Sequence, residues 1–405
     1  MHLQRFAAPA APAALNFLAG SVVQYDDCDG PQTYALGKNL TFQSTTGDIG
    51  LAEGVFVRFK LAVTPTIATG HSAIWSLLHS FATQVTISQG GEQFKQVHPA
   101  FFEQREFVMR RLYRQNYALS AGSRFYPSGH IGGTLPALAT GVTANIVYTF
   151  FIPFRWIRNP AVNIGMFPVG DSANALKIVL QTPAEFAGLD PENNAILMVA
   201  GDSATVTGTV DCTIAYRSVL SYKPGQSVTP PVVGTQVKVA QQAQAINSVG
   251  SEIVLQHGNL FPHPLIITLT EDGNANPDAA AGVNGTGLSS LFLSRFRFSL
   301  TKQTPVFDLS EEQTIAAYWA ANRYAYGDDL IDGVWPYAPI LETGAVGAGY
   351  WTDPTDEWLQ QIPNFADWKN ALTGVTVASG QTINSAGAGL ARITEFAEYL
   401  VGVNY

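Results

Sequence analysis

Apolar and polar residues alternate with a period of two along much of this chain. In residues 54–65, GVFVRFKLAVTP, Val55, Val57, Phe59, Leu61 and Val63 fall on one side, with Arg58 and Lys60 on the other. That spacing predicts a strand buried on one face. Residues 144–153, ANIVYTFFIP, are dense in β-branched and aromatic side chains. Leu176, Ile178 and Leu180 alternate, and Val206, Val210, Cys212, Ile214 and Tyr216 share a face of the run 205–222. Further strands are predicted at 251–255, 264–270, 296–301, 371–378 and 392–401. Each run is bounded by Gly, Pro, Asn or Asp.

Two stretches depart from this period. In residues 99–117, Phe101, Phe102, Arg105, Val108, Met109, Leu112 and Tyr113 recur every three to four positions, which predicts a helix. A second helix is predicted over 308–324, where Ser310 and Gln313 have the spacing of a capping box. Both follow a strand and a short polar loop. Glu103-Gln104 and Glu312-Gln313 stand at matching places, 209 residues apart. The recurrence of strand, loop and helix in one order points to a duplicated unit. Between the two units, KPGQSVTPPVVG at 223–234 carries three prolines and two glycines and reads as a linker.

A length of 405 residues fits two domains of ordinary size. Charged residues are 13% of the chain, against roughly 25% in an average soluble domain. A large β-rich core and a surface covered by neighbouring subunits both account for that deficit. The net charge of −9 argues against general binding of a phosphate backbone. Cys28 and Cys212 are too few for a disulfide framework and read as buried, unpaired thiols, consistent with assembly in a reducing cytoplasm. No stretch of about 18 apolar residues is present. The N-terminal MHLQRFAAPAAPAALNFLAG is apolar but broken by Pro9 and Pro12, and reads as an arm that docks on a neighbour or a membrane surface.

This arrangement resembles the double jelly-roll major capsid proteins of tailless bacteriophages with an internal membrane, the tectiviruses. The resemblance runs from about Ala35 to the end. It is carried by YALGKNLTFQSTTGDIGLAEGVFVRFKLAVT, by GVTANIVYTFFIPFRWIRNPAVNIGMFPVGDSANALKIVLQ and by the DLSEEQTIAAYW helix. It implies an all-β fold of two successive eight-stranded jelly rolls, each with a short inserted helix. The expected layout is an N-terminal arm at 1–34, a first jelly roll at 35–222, a linker at 223–236 and a second jelly roll at 237–405. The resemblance further implies a homotrimer whose six barrels make a pseudo-hexagonal capsomer. Such capsomers tile an icosahedral virion shell around a membrane vesicle, assembled in a bacterial cytoplasm. The implied partners are neighbouring capsid trimers, penton and minor capsid proteins, and the internal membrane through the N-terminal arm. No sequence-specific nucleic-acid binding, cofactor, metal or catalytic residue is expected.

GDSA occurs at 170–173 and 201–204, but a nucleophilic serine needs a histidine base and an oxyanion hole, so both read as turns. Asp272, Asn274, Asn276 and Asp278 alternate as in a calcium loop. Pro277 and Val283 occupy the places of the required glycine and acidic ligand, so the loop reading is preferred. His257 and His263 lack a third ligand and read as surface or satisfied histidines. Arg105, Arg110, Arg111 and Arg114 read as a solvated helix face or an intersubunit contact. The alternative to a capsid protein is a carbohydrate- or receptor-binding β-sandwich such as a spike or lectin. Its best candidates are Trp351, Trp358 and Trp368 with Asp353, Asp356 and Asp367. A glycoside hydrolase on a jelly roll would need two paired carboxylates, which the sequence does not place.

Overall fold

The computed structural model describes residues 20–70, 73–75, 81–97, 99, 101, 138–154, 165–184, 196–198, 202–218, 235–258, 265–270, 293–301, 304–310, 313, 334–337, 371–380, 383 and 391–402. The first twelve strands are β1 (Val22–Asp26), β2 (Gln32–Thr33), β3 (Asn39–Gln43), β4 (Gly50–Thr66), β5 (Ala73–Trp75), β6 (Gln84–Gln89), β7 (Glu92–Val97), β8 (Ala144–Pro153), β9 (Phe167–Val169), β10 (Lys177–Gln181), β11 (Ile196–Met198) and β12 (Ser203–Ser218). Eight more follow: β13 (Thr235–Ala245), β14 (Glu252–Gly258), β15 (Leu265–Thr270), β16 (Leu293–Thr301), β17 (Thr304–Leu309), β18 (Val334–Tyr337), β19 (Ala371–Val377) and β20 (Arg392–Gly402).

The first barrel packs the sheet β1-β12-β4-β8 against β3-β10-β6-β7. The alternation read from the sequence is what closes it. Val55, Val57, Phe59, Leu61 and Val63 of β4 are buried, while Arg58 and Lys60 are exposed. From the facing sheet come Leu40, Phe42, Val85, Ile87, Phe94, Ile178 and Leu180, all buried in the same core. Phe59 sits at its centre, within 5.6 Å of Phe81 and 6.0 Å of Phe150, ring centre to ring centre.

The second barrel packs β13-β20-β15-β18 against β14-β19-β16-β17. Taken in chain order, the eight main strands of each barrel occupy the same places. The first, eighth, third and sixth form one sheet, and the second, seventh, fourth and fifth the other. This is the jelly-roll order, twice over. The element numbering passes over β2, β5, β9 and β11, which are short additions to the first barrel. The helices predicted from the 3–4 spacing both follow the fifth main strand, β7 in one barrel and β17 in the other. Strands β6 and β16, four places along each barrel, begin at Gln84 and Leu293, the same 209-residue offset seen in the sequence.

The boundaries differ from those expected. The arm assigned to residues 1–34 contains β1 and β2, which pair with β12 and so belong to the first barrel. The pattern missed β1 because its facing is reversed. Val23 and Tyr25 point outward, whereas Asp26 is buried and accepts hydrogen bonds from Ser44 Oγ (2.8 Å), Thr45 N (2.9 Å), Thr45 Oγ1 (2.9 Å) and Thr46 N (3.1 Å). Thr235 and Gln236, assigned to the linker, open β13. The rest of the linker lies outside the described residues. Asp308 and Leu309, assigned to the second helix, instead complete β17, where Asp308 binds Arg295 across the ladder; Ser310 is not helical and Gln313 is. The capping box itself is formed: Gln313 N donates to Ser310 Oγ at 3.2 Å, and Ser310 N donates to Gln313 Oε1 at 2.9 Å. Of the first predicted helix, Phe101 is helical and buried, and residues 102–117 lie outside the described set.

One glycine in a strand interior is required by close packing. A Cβ on Gly208 would lie 2.0 Å from the Lys60 carbonyl oxygen, and its φ of +141° is one that other residues rarely adopt. Gly208→Ala is expected to destabilise the chain by about 1–3 kcal/mol. Gly47→Ala, where a Cβ meets nothing within 4 Å, is expected to change stability by less than about 0.5 kcal/mol. Thermal and urea unfolding of the two variants check this.

Candidate functional site

The two barrels share a sheet. Strand β7 lies parallel to β13, with Lys95 in register with Val239, so one eight-stranded sheet runs β18-β15-β20-β13-β7-β6-β10-β3 through the whole molecule. Val237 and Val239 of β13 and Phe396 of β20 bury into the first barrel's core. Ile393, Ala397 and Tyr399 of the same β20 bury into the second. Phe101, four residues past the end of β7, meets Phe396 at 5.5 Å between ring centres. Gln236 is fully buried at this junction and donates to the Met166 carbonyl at 2.6 Å. The packing is that of a protein interior and not of a hinge.

The opposite sheet of the first barrel presents a different surface. On its outer side Tyr25 is 64% exposed, Val147 55% and Val23 39%. Phe56, half-buried, stacks obliquely on Phe151 at 4.7 Å and lies 6.4 Å from Tyr25. Tyr25, Phe56 and Phe151 make an aromatic row across β1, β4 and β8. Charged residues flank it: Asp211 accepts from Arg58 Nε at 2.8 Å and lies 3.2 Å from Lys60 Nζ. An aromatic row of this kind has the composition of a contact surface.

The second barrel encloses a polar cluster. His257 is the extra residue of a β-bulge in β14, which turns its ring into the core. Its Nδ1 is 2.8 Å from Tyr399 Oη and its Nε2 is 2.6 Å from Thr373 Oγ1. Glu395 Oε1 stands 3.5 Å from Nδ1, and neither carboxyl oxygen closes a hydrogen bond. Burial pushes the Glu395 carboxyl up to about 8, with a small opposing effect of Thr373. Burial also pushes the His257 imidazole down to about 4, and the Tyr399 hydroxyl up. Both members of the pair are therefore neutral near pH 6. The sequence marked His257 as surface or satisfied, and it is satisfied. Nothing in the sequence marked Glu395, which sits mid-strand between Thr394 and Phe396.

Among the described residues, the remaining candidates form no common site. Asp171 of the first GDSA caps a single 3-10 turn, accepting from Ala173 N at 2.9 Å. In the second GDSA, Asp202 accepts from Ala68 N at 3.0 Å and Ser203 opens β12. Both cysteines are buried and free, and burial with nearby aspartates pushes the Cys28 thiol up to about 12. His263, the 272–278 loop, Arg105 to Arg114 and the tryptophans at 351, 358 and 368 lie outside the described residues. Among the described residues, no group of three or more His, Cys, Asp or Glu is placed to hold a metal ion, and no helix is long and apolar enough to cross a membrane.

No protein-family model matches the sequence, and no curated protein matches it. Solved structures do. The chain is similar to the STIV MCP, with 10% identity, a TM-score of 0.54, and coverage of 93% of this chain and 96% of that one. It is similar to the PBCV-1 virus capsid, with 11% identity, a TM-score of 0.52, and coverage of 94% and 93%. It is also similar to a chain in the atomic structure of Sulfolobus Turreted Icosahedral Virus, with 10% identity, a TM-score of 0.51, and coverage of 93% and 90%. At these identities the likeness is one of fold, the double jelly roll, over nearly the whole length.

The polar cluster gives the second barrel a pH signature. In the unfolded chain the carboxyl and the imidazole titrate near 4.5 and 6.5. Raising the Glu395 value removes stability as pH rises from about 4.5 to 8. Lowering the His257 value removes stability as pH falls from about 6.5 to 4. Their contributions oppose each other between 4.5 and 6.5, so stability is expected to fall above pH 6.5 and again below 4.5. Glu395→Gln is expected to abolish the alkaline loss and to gain about 1–3 kcal/mol over the parent at pH 8. Denaturant titrations from pH 4 to 9 read this directly.

Proposed function

We propose that this protein is a viral major capsid protein, a structural block without catalytic residues. The observation that carries the reading is the fusion of two barrels of identical strand order through one shared sheet. A rigid unit with two similar lobes lets three copies approximate sixfold symmetry, so that flat lattice contacts form from one gene product. Three chains would form a trimer with six barrels in a pseudo-hexagonal outline. Such trimers would tile an icosahedral shell around a membrane vesicle.

The supporting physics is consistent across levels. Face-to-face sheets make a stiff brick with loops at its ends. The low charge content and the outward-facing row at Tyr25, Phe56 and Phe151 suit a surface buried on assembly. Solved structures similar to this chain include the STIV MCP, a PBCV-1 virus capsid and a chain of a whole icosahedral virus. In this reading the protein resides in the virion shell and assembles in the host cytoplasm. Residues before Val22 form an arm that faces the shell interior and its membrane, and the residues between β12 and β13 link the two barrels. Penton and minor capsid proteins are the further partners.

Purified protein is expected to sediment as a trimer, and negative-stain electron microscopy to show pseudo-hexagonal outlines about two barrels across each edge. In intact particles the arm is expected to resist protease. A stable monomer that never enters particles would overturn the reading.

A further inference from the structure

Within one chain the two barrels meet in a defined way. The fifth main strand of the first barrel, β7, lies parallel to the first strand of the second, β13. Just beyond β7, Phe101 seats on Phe396 of β20, the strand beside β13, on the face turned away from the second core. Because both barrels have one strand order, every participant has a counterpart. The counterpart of β7 is β17, that of β13 is β1, and that of β20 is β12.

Among the described residues β1 and β17 are both end strands of their sheets. Each leaves a row of backbone groups open to pairing, which natural proteins seldom leave uncovered. The outer face beside β1, where the counterpart of Phe101 would seat, is the face that exposes Val23 and Tyr25 next to Phe56 and Phe151. The chain thus holds one filled junction and the two halves of a second.

We infer that the second junction is completed by another copy of this chain. Strand β17 of one copy lies parallel to β1 of the next, and the copy that brings β17 covers the row at Tyr25, Phe56 and Phe151. The contact is head-to-tail, so filled and newly filled junctions alternate around a closed ring. The inference rests on the trimer proposed above and names its interface.

Full-length Tyr25→Glu and Tyr25→Phe proteins test it. Tyr25 is 64% exposed in the single chain, so neither change disturbs the monomer's core, and an unchanged thermal midpoint verifies this. Sedimentation is expected to find parent and Tyr25→Phe as trimers, with Tyr25→Glu weakened about 30-fold or more, the effect of losing a buried aromatic anchor. Hydrogen exchange of the parent is expected to be slow at residues 22–26 and 304–309 in the trimer and faster at both in diluted monomer. This second measurement stands if the Glu variant misfolds. A parent trimer in which Tyr25→Glu associates normally, or in which β1 exchanges equally in trimer and monomer, overturns the inference and leaves the trimer standing. A parent chain that stays monomeric overturns the trimer and the inference together. Loss of vesicle binding by Tyr25→Glu without loss of the trimer assigns the face to lipid. Slow exchange of β1 in the monomer that disappears on removing residues 1–19 assigns it to the arm. Either result overturns the inference.

Discussion

Hydrogen bonding between the backbones of β7 and β13 makes two barrels into one body. A sheet edge presents unpaired donors and acceptors, and each barrel would carry such an edge if it stood alone. Here one edge of each satisfies the other. The side chains follow from that choice. Val237, Val239 and Phe396 leave the second barrel's core for the first, and Phe101 has a surface to close on. Because β20 is covered on both sides, it presents buried residues at consecutive positions 393 to 397, where a one-faced strand would alternate. A rigid two-lobed shape is a consequence of this pairing.

How much of this could be read from the residues depended on how each strand is buried. Strands β4, β8, β10 and β12 are wet on one face, so their alternation was plain, and the span of β8 matched to the residue. Strand β1 was illegible because Val23 and Tyr25 face outward and Asp26 inward, the inverse of the usual rule. Its buried carboxylate serves the loop at Ser44 to Thr46 and not an apolar core. The four-residue β18 contains Pro336 and gives no period to detect. The capping box at Ser310 was legible because it is a local contact. The junction was not, since a parallel pairing across some 140 residues leaves no mark in either segment. Likewise a bulge such as that at His257 is defined by the partner strand, so the inward turn of the ring could not be foreseen.

The second barrel's interior combines an apolar core with a neutral acid and a neutral imidazole. Replacing such groups by well-packed aliphatic side chains is often neutral or stabilising. Their positions are specific nonetheless. His257, Thr373 and Tyr399 come from three strands in two facing sheets and are tied by bonds of 2.6 and 2.8 Å. Such a tie fixes how the sheets sit against each other, which an apolar core alone does loosely.

The shared sheet also bears on descent. Two copies of a barrel that have merely been strung together can separate again by a break in the connecting segment. Once β7 and β13 have adopted each other as neighbours and traded core residues, separation leaves two sticky edges and two holes. The fusion then acts as a ratchet. Selection keeps the strand order and the seam, while everything else in the halves drifts independently. If one half was copied from the other, little but order and spacing would then survive to show it.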